Sequence, residues 1–139
     1  TYPDEFAACD GSAAVADGVM IGQQERKAFG LCYKTTVGND VLGNDFGYKL
    51  HLIYGAKASP SEKAYSTIND NPEAITFSYE ISTTPVAVEG FKPTSTIVID
   101  STKVDPAGLA ALEAKLFGSE SEEASLPLPD EVITLVGKK

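Results

Sequence analysis

Two stretches of alternating apolar and polar residues constrain this chain more than any other feature of its sequence. The odd-numbered positions of the first stretch are the larger or β-branched ones: Phe29, Leu31, Tyr33, Thr35 and Val37. The even-numbered positions of the second are apolar: Tyr48, Leu50, Leu52 and Tyr54. A period of two over this length predicts half-buried β-strands. Gly-Asn-Asp clusters at 38–40 and 43–45 predict that turns join the two strands into a hairpin.

The register of this hairpin follows from residue numbers. Residues that oppose each other in an antiparallel pair have a constant index sum. If the odd-numbered apolar set of the first strand shares a face with the even-numbered apolar set of the second, the sum is odd. A sum of 83 places Cys32 opposite His51, and a sum of 85 shifts each pair by two. The sequence therefore predicts a thiol and an imidazole on the same side of the hairpin.

The remaining patterns predict a mainly β, α+β chain in which antiparallel sheets pack as a sandwich or partly closed barrel with a flanking helix. One domain is expected over 1–139, with a helical turn and loop at 1–25, strands within 26–104 and an extension at 118–139. A short strand is expected at 19–21, a third long strand at 75–82, and a fourth at 94–100 that is buried on both faces. Asp105, Pro106 and Gly118 bracket a helix at 105–117. The apolar residues of 132–136 favour a short terminal helix.

Composition narrows the classes of function. With 139 residues and 42% hydrophobic content the chain can bury a core. The formal net charge of −9 argues against a sequence-reading nucleic-acid protein, which needs a basic surface. Two cysteines are too few for a disulfide scaffold and are expected as free thiols. No apolar stretch reaches the ~18 residues of a membrane span.

Candidate chemistry is sparse. A nucleophilic Cys32 activated by His51 would need an orienting third group and oxyanion donors, which regular strands do not supply. A small buried cysteine beside a hydrogen-bonded histidine is the ordinary explanation. One histidine and two distant cysteines have no zinc spacing, and turn formation explains the Gly-Asn-Asp clusters without calcium. The sequence predicts no catalytic, cofactor-binding or metal-binding residues, no cofactor, and no enzyme activity.

Several segments, taken in order, carry a resemblance to a known family. They are IGQQERKAFGL (21–31), YKLHLIYG (48–55), SPSEK (59–63), STTPV (82–86), the stretch 91–100 and LPLPD (126–130). This ordered set resembles the C-terminal two-thirds of major tail proteins (tail tube proteins) of tailed bacteriophages, including prophages of Gram-positive bacteria. The resemblance covers most of the chain.

The resemblance implies a structural virion protein without catalytic residues. Six such subunits would form a ring, and stacked rings would form a tube through which DNA passes without specific binding. Its partners would be copies of itself and other phage tail proteins, with no membrane and no small-molecule substrate. It would be found in the virion tail after assembly in the bacterial host cytoplasm. Members of the family are longer at the N-terminus, so the chain is expected to be a fragment that lacks an N-terminal segment.

Three alternatives remain open at this level. The chain could be another phage structural protein, such as a head decoration or baseplate protein. It could be a β-sandwich module that binds a ligand or carbohydrate through Tyr33, Tyr48, Tyr54 or Tyr79. A cysteine hydrolase built on Cys32 is the third.

Overall fold

A computed structural model describes residues 6–59 and 78–137 of the chain. In chain order, the elements are α1 (Ala7–Asp10), β1 (Ala13–Ala16), β2 (Val19–Ile21), β3 (Phe29–Asn39), β4 (Gly43–Ala58), β5 (Ile81–Thr83), β6 (Thr96–Asp100), α2 (Pro106–Phe117) and α3 (Pro129–Val136). The described residues are mainly β, with two antiparallel sheets and three short helices, which confirms the predicted fold class. Closure of the sheets towards a barrel stays a prediction.

The chain divides into two compact units, each described here by itself. Unit 1 comprises Thr1–Phe29 and Ala56–Ser82, and unit 2 comprises Gly30–Gly55 and Thr83–Lys139. A single domain that spans both units stays a prediction.

In unit 1, a short helix leads into a two-stranded hairpin. Gly11 ends α1 in the left-handed conformation, with φ of 83°, and its N–H donates to the carbonyl of Ala7. Strands β1 and β2 pair antiparallel, with Ala13 opposite Ile21. Arg26 Nε donates to the carbonyl oxygen of Asp10 at 3.0 Å and ties the chain after the hairpin to the end of α1. The predicted strand at 19–21 is confirmed.

Strand β4 is central to the four-stranded sheet formed by β3, β4, β5 and β6. Within unit 2, β4 pairs with β3 on one side and with β6 on the other. The β6 pairing is antiparallel and sets Leu50 opposite Ile99 and Leu52 opposite Ile97. Because side chains alternate along a strand, these two pairs lie on one face of the sheet.

Helices α2 and α3 cover that face. Asp105 caps α2 by accepting a hydrogen bond from the N–H of Gly108 at 2.8 Å, as the sequence predicts. The buried core comprises Leu50, Leu52, Tyr54, Ile99, Leu109, Leu112, Leu116 and Val132. The terminal apolar residues do form a helix, α3, which packs closely on α2. A Cβ at Gly108 would come within 2.2 Å of the Leu135 carbonyl oxygen.

The turn of the β3–β4 hairpin is held by one side chain. Asn39 Oδ1 accepts hydrogen bonds from the backbone N–H groups of Val41 at 3.1 Å and Leu42 at 2.6 Å. The turn occupies residues 40–42, and the second Gly-Asn-Asp cluster begins β4. The predicted hairpin turn is therefore present but tighter than expected: of the two clusters only Asp40 lies in it, and Val41 at its tip is 87% exposed.

Two strand predictions need correction. The third strand was expected at 75–82, but residues 78–80 are not a strand and β5 covers only Ile81–Thr83. Strand β6 is not buried on both faces, since Val98 is 56% exposed. The expected features at residues 2–5, 60–63 and 75–77 lie outside the described residues.

Leu112 offers a direct test of the helix–sheet core, because it is fully buried beneath α2. We expect Leu112→Ala to lower the free energy of unfolding by about 2–5 kcal/mol through lost burial and the cavity left behind. Urea denaturation followed by circular dichroism measures this change. The matched control is Leu128→Ala, since Leu128 is 65% exposed, and it should change stability by less than about 0.5 kcal/mol. Equal effects in the two variants would contradict the core described here.

Candidate functional site

The predicted pairing of Cys32 with His51 is wrong. The His51 ring stacks on Tyr33, and its Nε2 lies 2.8 Å from the Thr35 hydroxyl oxygen. Lys34 Nζ lies 3.6 Å from the ring centre of Tyr48. All three contacts join residues whose index sums are even, so even-numbered positions of β3 share a face with even-numbered positions of β4. Cys32 packs against the core, and His51 lies on the opposite face.

The physical reason for this error lies in the small residues of β3. Gly30 leaves room for Leu126, whose Cδ2 lies 2.3 Å from where a Cβ at Gly30 would stand. Cys32 adds a small apolar side chain to the core, and Lys34 reaches across Tyr48 to Glu113 on α2 at 3.4 Å. Side chains from the helical layer fill the space above these positions. The face of β3 that carries the small residues is therefore the face that the helical layer covers.

Cys32 is poorly suited to act as a nucleophile. Burial raises the pKa of its thiol, and the nearby carboxylate of Glu113 raises it further. The neighbouring Tyr54 donates its hydroxyl hydrogen to the Pro127 carbonyl at 2.8 Å, and burial, with a smaller effect from Cys32, raises the pKa of Tyr54 to about 12. Because the thiolate is the reactive form of cysteine, this environment suppresses reactivity.

The raised pKa of Cys32 can be measured by alkylation. In a Cys9→Ser variant, where Cys32 is the one remaining thiol, we expect the pH midpoint of iodoacetamide labelling to be higher in the native protein than in urea. Removing the Glu113 charge with Glu113→Gln should lower the native midpoint, because that carboxylate disfavours the thiolate. A native midpoint below the denatured one would instead indicate an activated cysteine.

The opposite face of the four-stranded sheet is the candidate site. We call it the outer sheet face and define it by Leu31, Tyr33, Thr35, His51, Ile53 and Val98. The first three are odd-numbered residues of β3, the next two are odd-numbered residues of β4, and Val98 is the register partner of His51 on β6. Both helices pack on the other face, so Tyr33 and Val98 remain 44% and 56% exposed.

His51 is held at the centre of the outer sheet face. Its ring lies 4.6 Å from that of Tyr33 between centroids, with an angle of 3° between the planes. The hydrogen bond to Thr35 fixes the rotation of the ring, and Val98 lies across from it on β6. The arrangement is a preorganised aromatic and aliphatic surface with one imidazole at its centre.

One opposite-charge pair lies beside this cluster. Lys49 and Asp100 are register partners at the end of the β4–β6 ladder. Hydrogen bonds from the Thr102 hydroxyl at 2.6 Å and the Thr102 N–H at 3.0 Å hold the pKa of the Asp100 carboxyl below its usual value. Lys103 and Lys49 act in the same direction. Asp100 therefore stays ionised throughout the neutral and mildly acidic range.

Thr102→Val tests the cause of this pKa shift because it keeps the side-chain shape and removes the hydroxyl donor. We expect the carboxyl pKa of Asp100 to rise towards its ordinary value, since the largest contribution comes from that hydrogen bond. The measurement is an NMR titration of the carboxyl carbon in both proteins. An unchanged pKa would show that the Thr102 N–H and the lysines, and not the hydroxyl, hold the carboxylate ionised.

Strand β3 adds an unpaired edge to the outer sheet face. Among the described residues, this 11-residue strand pairs with β4 alone. An edge of this length presents unpaired backbone N–H and C=O groups to a neighbouring chain. The bare face and the open edge therefore belong to one surface.

Sequence reasoning did not identify the outer sheet face, although a signal for it was present. Three consecutive apolar residues at 97–99 correctly indicate that both faces of β6 are apolar. Among the described residues, the helices cover one of these faces, and Val98 on the other is 56% exposed. The stacked pair of Tyr33 and His51 had no such signal, because it depends on an even index sum.

Other candidate sites carry less chemistry. Within residues 6–59 and 78–137, no group of three or more His, Cys, Asp or Glu side chains could hold a metal ion. Cys9 and Cys32 are free thiols, as expected. In unit 1, an open groove of about 660 Å³ is lined by small and polar residues, five of them alanines, with Asp17, Glu25 and Lys27 as its charged residues. No helix in the described part of the chain has the length and apolar character of a membrane span.

Comparison with known proteins adds no assignment: no family, no curated protein and no solved structure matches the chain.

Proposed function

We propose that this protein is a structural subunit of a bacteriophage tail tube, which assembles with copies of itself into rings that stack into a conduit for DNA. The proposal joins the family resemblance of the sequence segments to the character of the outer sheet face. It assigns no catalytic residue and no cofactor. Its partners would be other copies of the chain and other tail proteins.

One observation carries the proposal. Strand β6 has the sequence of a doubly covered strand, yet Val98 lies bare on the outer sheet face at 56% exposure. Burying apolar surface is the main favourable contribution to association. A protein that leaves apolar side chains bare beside an 11-residue edge strand has a surface suited to a neighbouring copy.

Charge is compatible with this role. The formal net charge of −9 disfavours tight retention of a phosphate backbone, because like charges repel. A conduit must let DNA pass without holding it. An acidic protein meets that requirement better than a basic one.

The chemistry of the described residues favours a structural role over hydrolysis. Cys32 and His51 lie on opposite faces of one sheet, and burial raises the pKa of the thiol. The tyrosines offered as a sugar-binding set are also divided. Tyr33 lies on the outer sheet face, whereas Tyr48 and Tyr54 contribute to the core side.

Self-assembly is tested by negative-stain electron microscopy and sedimentation velocity on the purified protein, including any preceding segment that its gene encodes. We expect rings or tubes that form with rising concentration. We expect Val98→Lys to weaken assembly at least about tenfold, because a charge would be buried in the contact.

The matched control is Ile133→Lys, since Ile133 is 46% exposed on the helical side of unit 2. It should assemble like the unmodified protein, and circular dichroism should show both variants folded. A protein that stays monomeric at high concentration, even with phage tail partners present, would refute the proposed function. Assembly that is insensitive to Val98→Lys would move the contact away from the outer sheet face.

A further inference from the structure

We infer that His51 makes self-association through the outer sheet face dependent on pH, with association weaker in mildly acidic solution than at neutral pH. This inference rests on the proposed function, because it requires that a second copy cover the outer sheet face. It assigns to His51 a regulatory role in assembly, with no part in catalysis.

His51 is the single histidine of the sequence. Histidine is the one side chain whose ordinary pKa places its change of charge between pH 5 and 8. Two other charged groups face His51 on the described sheet. They are Lys49 on its own strand and Asp100 on β6, whose carboxyl pKa is held low by Thr102. On β3, the neighbours of His51 are Tyr33, which stacks on its ring, and Thr35, which is hydrogen-bonded to it.

Protonation is tolerated in the separate subunit. The Thr35 hydroxyl can donate to a neutral imidazole nitrogen or accept from a protonated one, so the 2.8 Å hydrogen bond can persist in both states. A cationic ring stacked on Tyr33 also gains from the negative face of the tyrosine ring. Water reaches the half-buried His51 and solvates its charge.

Protonation is not tolerated once the face is covered. A second copy would remove water from His51 and place the ring among Tyr33, Val98 and the apolar surface of its neighbour. Burying a charge without a partner is unfavourable, and the Asp100 carboxylate is already hydrogen-bonded to Thr102 and paired with Lys103 at 3.7 Å. The neutral imidazole is therefore the form that associates.

The size of the effect follows from linkage. If only the neutral form associates, association weakens up to tenfold for each pH unit below the pH at which the imidazole takes up its proton, so lowering the pH from 7.5 to 5.5 should weaken each contact roughly tenfold. In a closed ring of subunits, this weakening applies at every contact between neighbouring copies. The transition between free subunits and assemblies should therefore be steep in pH.

The test measures the association of the purified protein by sedimentation velocity at pH 7.5 and pH 5.5, for the unmodified sequence and for His51→Gln. Glutamine can hydrogen-bond to Thr35 but cannot become charged. We expect the unmodified protein to associate roughly tenfold more weakly per contact at pH 5.5. The His51→Gln protein should associate equally at both pH values or more strongly at pH 5.5, because acidic residues elsewhere lose charge.

His51→Phe is a second variant in case glutamine disturbs the stack, and it should also lose the weakening at low pH. Melting curves at both pH values show that each variant is folded. If the unmodified protein associates equally at both pH values, or the weakening persists in both variants, the inference fails and the proposed function stands. If the protein does not associate at any pH, both fail.

Discussion

The burial of one face of β4 beneath two helices is the constraint on which unit 2 depends. Leu50 and Leu52 are fully buried, and they meet Leu112 from α2 and Val132 from α3. A central strand paired on both sides cannot change register without moving these leucines to the opposite face. The helices therefore fix which side of the sheet is interior, and by exclusion they define the outer sheet face.

How far the sequence predicts this fold depends on whether a signal is local. The α2 boundaries follow from Asp105 and Pro106, and the hairpin turn follows from Asn39, because each acts on its own backbone neighbours. The register of the β3–β4 hairpin does not follow from a local signal. It depends on which face of β3 the helices fill, and hydropathy alone assigns that face to the larger residues. The space above Gly30 is instead taken by Leu126, which is distant in sequence.

The candidate site was less predictable than the fold for the same reason. A stacked ring pair such as Tyr33 and His51 requires two strands to be correctly aligned, so a single-residue error in register hides it. The apolar run at 97–99 was informative about β6, but its meaning depended on what covers Val98. Sequence periodicity reports that a face is apolar, and it does not report whether the same chain or another one covers that face.

The packing of Val132 and Leu126 has a consequence for the order of folding. Leu50 is separated from Val132 by more than half of the chain, yet both belong to one core cluster. During synthesis the β3–β4 hairpin leaves the ribosome well before α3 exists. The apolar face of the hairpin therefore stays exposed to water or to a chaperone until the segment through Val132 has left the ribosome and can pack on it.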